Sequence, residues 1–412
     1  MRRGLSDMAE KNFVLPYGRQ SVDEDDIAAV VEVLRGDWLT QGPAVAAFES
    51  ALGSRVDARH VVACTNGTAA LHLTALALKL GPGDVAVVPT MTFLATANAA
   101  RYVGAEVVFA DVDPETGLCR PEDFATALER PEAAQARALF PVHYAGQCCD
   151  MESVGELARA RGLRVVEDAC HALGTTYRAR AGGGGTVGDC RWSDMAIFSF
   201  HPVKMIAMGE GGAVTTNDAG LAERLALLRS HGMHREPAAM LDADLARAPS
   251  GAPNPWYYEM PEVGFNYRVS DINCALGMSQ LRKFERFAAR RREIAAAYDR
   301  ALAPLSPVVR PLAHVPWCDP VLHLYPVRID FAALKRDRAA VMQELRAAGV
   351  GTQVHYLPVH MQPYYRERYG RRSLPGAEAY YASTLSLPLF PGLDDDGVNR
   401  VVDALTRLVN AG

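Results

Sequence analysis

The sequence predicts an α/β protein in which a large domain, built on a mostly parallel β-sheet with helices on both faces, carries a smaller α+β domain. Two observations predict this class. Between residues 60 and 174, short apolar runs alternate with helix-like stretches, and strands that alternate with helices are typical of parallel sheets. The chain also has 412 residues, more than the roughly 250–300 at which a single core stops growing. We therefore expect two domains.

The predicted large domain begins with five strands that are separated by four helices. The predicted strands are 61–64, 85–88, 106–110, 138–142 and 163–166, and the predicted helices are 68–80, 96–103, 121–128 and 151–161. Ligands of such sheets collect beyond the carboxyl ends of the strands. We therefore expect one cleft, formed by the polar segments that follow the strands. These segments are 65–68, 90–93, 143–147 and 168–171.

The rest of the chain predicts a linking helix and a small domain. A loop-like region at 237–264, rich in Pro and Gly, precedes a long helix-like stretch at 270–302. Further elements of the small domain are predicted at 322–329, 338–348, 352–356 and 397–409. We place the large domain at 14–265 and the linking helix with the small C-terminal domain at 266–412.

The composition favours a small-molecule partner. Hydrophobic residues make up 49% of the chain and charged residues 22%, and the formal net charge is −5. This charge gives no basic field to attract nucleic acid or an anionic membrane surface. The eight cysteines include no C-x-x-C pair, which favours reduced thiols and argues against disulfides or a metal site.

The ends and apolar runs of the sequence predict a cytoplasmic protein. The positive residues Arg2 and Arg3 are followed by a polar stretch at 4–10 and by no apolar core. No stretch reaches the roughly 20 apolar residues that a membrane span requires. We therefore expect a protein that is neither exported nor membrane-spanning.

Lys204 is the residue that indicates a chemistry most directly. It ends the apolar, aromatic segment 198–204 and precedes a glycine turn at 208–212. A charged amine is unfavourable in such surroundings, which lower its pKa and permit imine formation. The alternative is an ordinary surface lysine, but the aromatic strand before it and the glycine turn after it favour burial.

Asp168 comes 204 − 168 = 36 residues before Lys204 and ends an apolar strand. A carboxylate in a buried position is costly unless it meets a cation or hydrogen-bond donors, and a protonated pyridine nitrogen would meet that need. His171 is close enough in sequence to reach the same ring, and Phe93 would stack on it. The alternatives are a structural carboxylate, a core histidine and ordinary core packing.

Residues 66–68 end a strand and open a helix. Gly67 and Thr68 can therefore offer N–H groups and a hydroxyl to a phosphate at the positive end of the helix, and Ser199 can add a contact. The alternative is a simple turn with an N-cap. The sequence has neither a G-x-x-x-x-G-K-[ST] motif nor a G-x-G-x-x-G motif in a βαβ context, which argues against ATP and dinucleotides.

Taken together, the motifs at 66–71, 92–98, 167–173, 199–212 and 264–268 resemble the DegT/DnrJ/StrS family of pyridoxal-phosphate sugar aminotransferases. The order and spacing match over nearly the whole chain. The resemblance implies the type I PLP-dependent aminotransferase fold and a homodimer with shared active sites. It also implies the cofactor pyridoxal 5′-phosphate.

The resemblance assigns a role to each candidate residue. Lys204 would form the Schiff base, Asp168 would bind the pyridine nitrogen, and His171 would bind the ring hydroxyl. Phe93 would stack on the ring, and the other residues of the set would bind the phosphate. The implied cofactor-binding residues are Gly67, Thr68, Phe93, Asp168, His171, Ser199, Lys204 and Asn266 of the partner subunit.

Four further motifs, at 16–20, 38–43, 255–259 and 354–356, are similar to one branch of the family. That branch aminates C4 of a UDP-linked 4-keto-6-deoxy-N-acetylhexosamine in pseudaminic acid synthesis, and the family uses L-glutamate as donor, giving 2-oxoglutarate. The implied substrate-binding residues are Tyr17, Asp37, Trp38, Leu39, Thr40, Leu322, His323, Leu324 and Tyr325. The glycine-rich loop at 178–185 departs from the short hairpin expected there, a feature that would change access to the cleft.

Three alternatives stay open at this point. A related branch dehydrates sugars, but it has histidine where this chain has Lys204. An aminotransferase for another nucleotide-linked keto sugar, C3-specific or dTDP-linked, would differ only in its substrate pocket. A non-catalytic sugar-nucleotide sensor would bind without turnover, and a protein that is yellow and bleaches with glutamate would argue against it.

Overall fold

The computed structural model describes residues 14–180, 182–236 and 240–411. The polar amino terminus and the first residues of the predicted 237–264 loop lie outside this part of the chain. The central feature is a seven-stranded sheet with the order β1-β9-β8-β5-β4-β2-β3. Its strands are β1 (His60–Cys64), β2 (Val85–Pro89), β3 (Glu106–Ala110), β4 (Ala136–Leu139), β5 (Arg164–Asp168), β8 (Met195–Ser199) and β9 (Gly212–Thr216).

The sheet is mainly parallel, as the sequence predicts. Strands β3, β2, β4, β5 and β8 run parallel to one another. Strand β9 pairs antiparallel with both β8 and β1 and so places β1 at an edge. The central strands are buried, as expected for a sheet covered on both faces.

Helices cover the sheet, and the four predicted ones are confirmed. The helices of the large domain are α1 (Glu24–Arg35), α2 (Pro43–Val56), α3 (Gly67–Ala77), α4 (Leu94–Tyr102), α5 (Pro121–Leu128), α6 (Met151–Arg161), α7 (Ala219–Arg229) and the short α8 (Ala243–Ala246). Local signals set their ends. The Asp150 side chain caps the start of α6, which ends at Gly162 in a left-handed conformation.

The prediction of one continuous helix at 270–302 is wrong. The chain forms α9 (Asp271–Arg282) and α10 (Phe284–Leu302), with a break at Lys283. The reason is tertiary, because the Lys283 ammonium pairs with the carboxylates of Asp23 and Asp26 at the start of α1. Phe284 is buried directly after the break. Helix α9 therefore packs against α1 and α2, and α10 leads away to a second core.

The small domain is an antiparallel sheet covered by helices. Its strands are β10 (Val309–Pro311), β12 (Tyr325–Ile329) and β13 (Thr384–Leu387), and its helices are α11 (Arg338–Ala347) and α14 (Asp395–Asn410). Helices α12 (Pro363–Tyr369) and α13 (Pro375–Ser383) lie in the same part of the sequence but pack against the large core. Helix α10 joins the two cores, since Phe284 packs in the first and Tyr298 in the second. The division at residues 265 and 266 stays a prediction.

The glycine-rich loop at 178–185 belongs to a small three-stranded sheet. Strands β6 (Thr176–Arg178) and β7 (Gly184–Thr186) form a hairpin, and β6 also pairs with β11 (Cys318–Asp319). Near the hairpin tip, Arg180 pairs with Glu152 and Glu156 of α6. The tip is therefore anchored on α6.

All eight cysteines are free thiols. Within the described residues, no helix combines the length and apolar character that crossing a membrane requires.

Candidate active site

A cavity of about 480 Å³ lies at the carboxyl ends of the parallel strands. The four polar segments that were expected to form one cleft all contribute to it, because Thr68, Phe93, His143 and Asp168 each line its wall. The predicted site residues that line the cavity are Tyr17, Gly67, Thr68, Phe93, Asp168, His171, Ser199, Lys204 and His323.

Lys204 lies in the turn that connects β8 to β9. Its backbone N–H donates to the carbonyl of His201 at 2.8 Å, and the N–H of Met208 donates to the carbonyl of Phe200 at 2.9 Å. Burial lowers the pKa of the Lys204 amine, while the negative charge of Asp168 acts in the opposite direction. The amine is therefore easier to deprotonate than that of an exposed lysine.

Asp168 stands at the end of β5 and is 6% exposed. One carboxylate oxygen accepts a hydrogen bond from the Thr96 hydroxyl at 2.6 Å, and the other accepts one from the Cys170 N–H at 3.2 Å. In the part of the chain that the structure describes, Asp168 forms no ion pair. A buried carboxylate that is oriented but not neutralised is suited to hold a protonated ring nitrogen.

The amino terminus of α3 faces the cavity from another side. The Asn66 side chain accepts a hydrogen bond from the N–H of Ala69 at 2.8 Å, so the N–H groups of Gly67 and Thr68 are the ones that face the cavity. A Cβ atom at Gly67 would lie 2.8 Å from the Cβ of Ser199. Only glycine lets the end of β8 come this close, and the resulting cradle fits a phosphate group.

A cluster of neutral aromatic side chains closes the other end of the cavity. His171 Nε2 lies 3.1 Å from the Tyr356 hydroxyl, and its ring centroid lies 4.5 Å from that of His323. Burial lowers the pKa of both histidines well below the ordinary value. The Nδ1 atoms of both rings are buried and have no hydrogen-bond partner among the described residues. These Nδ1 atoms are enclosed by protein, so a ligand in the cavity meets the other part of each ring.

Sequence reasoning used His355 and Tyr356 only as part of a family motif, yet both line the cavity. They come from the C-terminal part of the chain, and the Tyr144 hydroxyl donates to the carbonyl of His355 at 2.5 Å. His355 also packs against Tyr17, with ring centroids 5.2 Å apart. In the sequence, the only indication of their role was that a polar and an aromatic residue stand together between apolar segments.

Several predicted site residues lie outside the cavity. Segment 37–40 is exposed between α1 and α2, and Asn266 is exposed as well. Leu322 and Leu324 are buried in the two cores, and the Tyr325 hydroxyl donates to Asp299 at 2.6 Å. Phe93 stands at the rim and is 56% exposed. The predicted roles of all these residues stay predictions.

The cavity fits a phosphorylated pyridine aldehyde. It offers an amine with a lowered pKa, an unpaired carboxylate and a helix amino terminus, which suit the aldehyde, the ring nitrogen and the phosphate. With the mainly parallel sheet and the smaller C-terminal domain, these features define the class of PLP-dependent aminotransferases.

Comparison with known proteins gives the family. The sequence pattern of the DegT/DnrJ/EryC1/StrS aminotransferase family matches residues 20–406, and the chain belongs to this family. The chain is 36% identical over 407 residues to the spore coat polysaccharide biosynthesis protein SpsC of Bacillus subtilis (strain 168), which covers 97% of this chain and 98% of SpsC.

Solved structures agree with this membership. Helicobacter pylori PseC, an aminotransferase involved in the biosynthesis of pseudoaminic acid, superposes with a TM-score of 0.85 at 28% identity, covering 97% of this chain and 100% of PseC. The PLP form of Spr1654 from Streptococcus pneumoniae gives a TM-score of 0.84 at 26% identity, covering 97% and 99%. Spr1654 has also been solved in a PMP form. The protein is a sugar aminotransferase of a PLP-dependent family.

Proposed function

We propose that the protein transfers an amino group from L-glutamate to C4 of a UDP-linked 4-keto-6-deoxy-N-acetylhexosamine. The product is UDP-4-amino-4,6-dideoxy-N-acetyl-β-L-altrosamine, as in pseudaminic acid biosynthesis. The likeness to PseC over 97% of the chain supports this substrate. Tyr17, His355 and Tyr356, which belong to motifs of that branch, line the cavity and support it further.

The observation that carries the proposed chemistry is the position of Lys204 in one cavity with Asp168 and the amino terminus of α3. Pyridoxal phosphate, when bound, would supply an electron sink for the amino-transfer chemistry. Lys204 would hold the aldehyde end of the cofactor, and its neutral amine would serve as the proton carrier at the reacting carbon. Its lowered pKa favours the neutral amine that both tasks require.

The remaining cavity residues orient the cofactor. Asp168 keeps the ring nitrogen protonated, because its buried negative charge favours the pyridinium form. Gly67, Thr68 and Ser199 bind the phosphate at the positive end of α3. His171, which lines the cavity, would bind the ring hydroxyl in this proposal.

The proposed enzyme is a homodimer in which each subunit completes the site of the other. Asn266 is exposed and does not line the cavity of its own chain. Asn266 of the partner subunit binds the phosphate in this proposal. Trp38 and Phe93 are large apolar side chains that are 59% and 56% exposed, and their exposure supports the proposal that a second subunit covers them.

A second candidate substrate is another nucleotide-linked keto sugar, C3-specific or dTDP-linked. The identity to SpsC, a protein of spore coat polysaccharide biosynthesis, is 36%, against 28% for PseC, and this favours a candidate outside pseudaminic acid synthesis. The two candidates share the cofactor chemistry and differ only in the sugar pocket.

Two measurements test the proposal in sequence. Addition of L-glutamate to the holoenzyme should convert its absorbance from the aldehyde form to the amine form, and Lys204→Ala should abolish turnover. UDP- and dTDP-linked keto sugars are then supplied with glutamate, and NMR locates the new amine. An amine at C3, or turnover of dTDP sugars alone, would overturn the proposed substrate. The absence of any response to glutamate would overturn the proposed donor.

A further inference from the structure

We propose that Arg291 is a positioning residue that fixes His323 against the cavity for binding of the nucleotide sugar. The proposal rests on the proposed function of the cavity as a sugar-nucleotide site. Arg291 lies on α10, outside the cavity lining, and acts through the backbone of the segment that carries His323.

Arg291 is a buried cation whose partners are all carbonyl groups. It is 1% exposed, and its Nη1 donates to the carbonyl oxygens of Leu322, His323 and Leu389 at 3.4, 3.1 and 3.0 Å. Within the described residues it forms no ion pair with a carboxylate. Burial lowers the pKa of Arg291 to about 10, so the group stays charged at neutral pH. Arginine is rarely buried without an anionic partner.

The backbone that Arg291 holds is also held from the opposite side. The N–H groups of His323 and Leu324 both donate to the carbonyl oxygen of Ala145, at 2.9 and 3.3 Å. Next to it, a Cβ atom at Gly146 would lie 2.4 Å from the carbonyl oxygen of Val321. The segment is therefore clamped between a cation and a close-packed loop that belongs to the large domain.

The His323 side chain is the part of this segment that a ligand can reach. It is 4% exposed, lines the cavity, and has an Nδ1 atom without a partner among the described residues. Nδ1 is enclosed by protein, so a ligand meets only the part of the ring that lines the cavity. The His323 ring binds a ligand well only if its orientation is fixed, and the contacts that hold its backbone fix that orientation.

Arg291 is also linked to Tyr17 through the backbone of Leu389. The N–H of Leu389, whose carbonyl accepts from Arg291, donates to the carbonyl oxygen of Tyr17 at 3.0 Å. Tyr17 and His323 are the two predicted substrate-binding residues that line the cavity. Arg291 therefore supports both of them from one buried position.

The test compares Arg291→Lys and Arg291→Met in the holoenzyme. Lysine keeps the charge and the donors on a shorter stem, whereas methionine keeps only the apolar stem. We expect Arg291→Met to raise the KM for the UDP-keto sugar, and the Kd of the amino-sugar product measured by calorimetry, about tenfold or more, and Arg291→Lys to raise them less. The rate of the half-reaction with glutamate, followed by absorbance, should change about twofold or less.

Arg290→Met is the matched control. Arg290 lies on the same helix and also donates to a backbone carbonyl, that of Leu393, at 2.7 Å, but it does not contact the His323 segment. We expect a comparable loss of thermal stability with an unchanged KM for the sugar. If Arg291→Lys and Arg291→Met lower stability as the control does and leave the sugar KM and the product Kd unchanged, Arg291 is only structural and the proposal is overturned.

A double-mutant cycle tests whether Arg291 acts through His323. The variant Arg291→Lys with His323→Ala should lose less sugar affinity than the two single losses add up to, because the part of the first change that acts through His323 acts on a side chain that is already absent. Additive losses would overturn the proposal. A failure of the proposed function is distinguishable, since the wild-type enzyme would then not turn over the UDP sugar, and the same cycle would be measured with the sugar that it accepts.

Discussion

Lys204 shares its cavity with three imidazoles that burial keeps neutral. The pKa of His171 and that of His323 lie well below the ordinary value, and burial lowers the pKa of His355 to about 3. The positive charge of Lys204 acts on all three in the same direction. Neutral imidazoles accept hydrogen bonds and do not repel an amine that must exchange protons, so the cavity is suited to transamination near neutral pH.

Asp168→Asn should separate the electrostatic role of Asp168 from its structural role. Asparagine keeps an oxygen that accepts from Thr96 and a similar shape, so the thermal stability should change little. The loss of the negative charge removes the group that keeps the ring nitrogen protonated, and we expect kcat to fall by about 10²–10³. Steady-state kinetics and a thermal melt of the same sample check this expectation. A kcat close to that of the wild type would show that another group fills this role.

His355→Gln should change how the stability of the holoenzyme depends on pH. The unfolded chain binds a proton at His355 below about pH 6.5, whereas the folded protein does not do so until about pH 3. The stability due to this group is therefore present above the unfolded pKa and is lost as the pH falls between these two values. Glutamine can retain the contact with Ser386. We expect the slope of unfolding free energy against pH to decrease by about 1.4 kcal/mol per pH unit in this window.

Urea denaturation at several pH values measures that slope. His314→Gln serves as the control, because His314 is an exposed histidine outside the cavity. Equal slopes for wild type and His355→Gln would contradict the assignment of a lowered pKa to His355.

Helix α9 organises two parts of the site from its first turn. The carboxylate of Asp271 accepts from the N–H groups of Gly42 and Ala44 at 2.8 and 2.9 Å, and its own N–H donates to the carbonyl of Leu39 at 3.0 Å. The predicted substrate segment at 37–40 therefore leads into a helix that Asp271 caps. Asn273 donates to the carbonyl of Met208, in the turn that follows Lys204, at 2.6 Å.

Asp271→Asn should loosen the 37–40 segment. The change replaces one of the two acceptor oxygens of a buried carboxylate and removes the charge that favours the amino terminus of α2. We expect a loss of about 1–3 kcal/mol in stability and a higher KM for the sugar, measured by denaturation and kinetics. Asp218→Ala, which removes the side-chain cap of α7, should lower stability without a change in KM. A KM unchanged in both variants would argue against a role of 37–40 in binding.

For helices and strands, the sequence predicts an element correctly where the residues that determine it lie within the element or next to it. Helices α5 and α6 were predicted with correct ends because a proline or a capping aspartate starts them, and α6 also ends at a left-handed glycine. The break at Lys283 was not predictable, because its ion-pair partners Asp23 and Asp26 lie far away in the chain. The antiparallel β9 was missed for a similar reason, since nothing local sets its pairing with β1.

The same distinction applies to the site. Asp168 and Lys204 were recognisable because each follows an apolar strand and stands at the edge where parallel strands end. Tyr356 and Arg291 reach or support the cavity only through packing between domains. Their partners are brought together by tertiary structure, so no spacing in the sequence indicates their positions.

At the scale of the whole molecule, the cavity joins segments that are far apart in the chain. Asp168 comes from the large sheet, and Tyr356 comes from the C-terminal part of the chain and packs against the large core. Buried polar contacts connect the two parts, among them the Tyr144 hydroxyl, which lies 2.8 Å from the Tyr380 hydroxyl. The carboxylate of Asp111 also accepts from the N–H groups of Gly376 and Ala377 at the start of α13. These contacts favour a fixed relation of the two domains around the site.

Subunit mixing should test whether two chains share each site. Lys204→Ala removes the Schiff-base lysine, and Asn266→Asp places a negative charge where the proposed phosphate contact of the partner subunit lies, so each homodimer should be inactive. In a heterodimer with shared sites, one site receives both changes and the other receives neither. Random pairing makes half of the dimers heterodimers, so we expect about a quarter of the wild-type activity after co-expression.

The control for this experiment pairs two residues of one chain. Lys204 and Asp168 line the same cavity, so a heterodimer of Lys204→Ala with Asp168→Asn has no intact site and should regain no activity. Restored activity with Asn266→Asp but not with Asp168→Asn shows that Asn266 serves the site of the other subunit. The absence of restoration in both mixtures, with heterodimers verified by mass spectrometry, would place Asn266 and Lys204 in the same subunit's site and would refute the shared site.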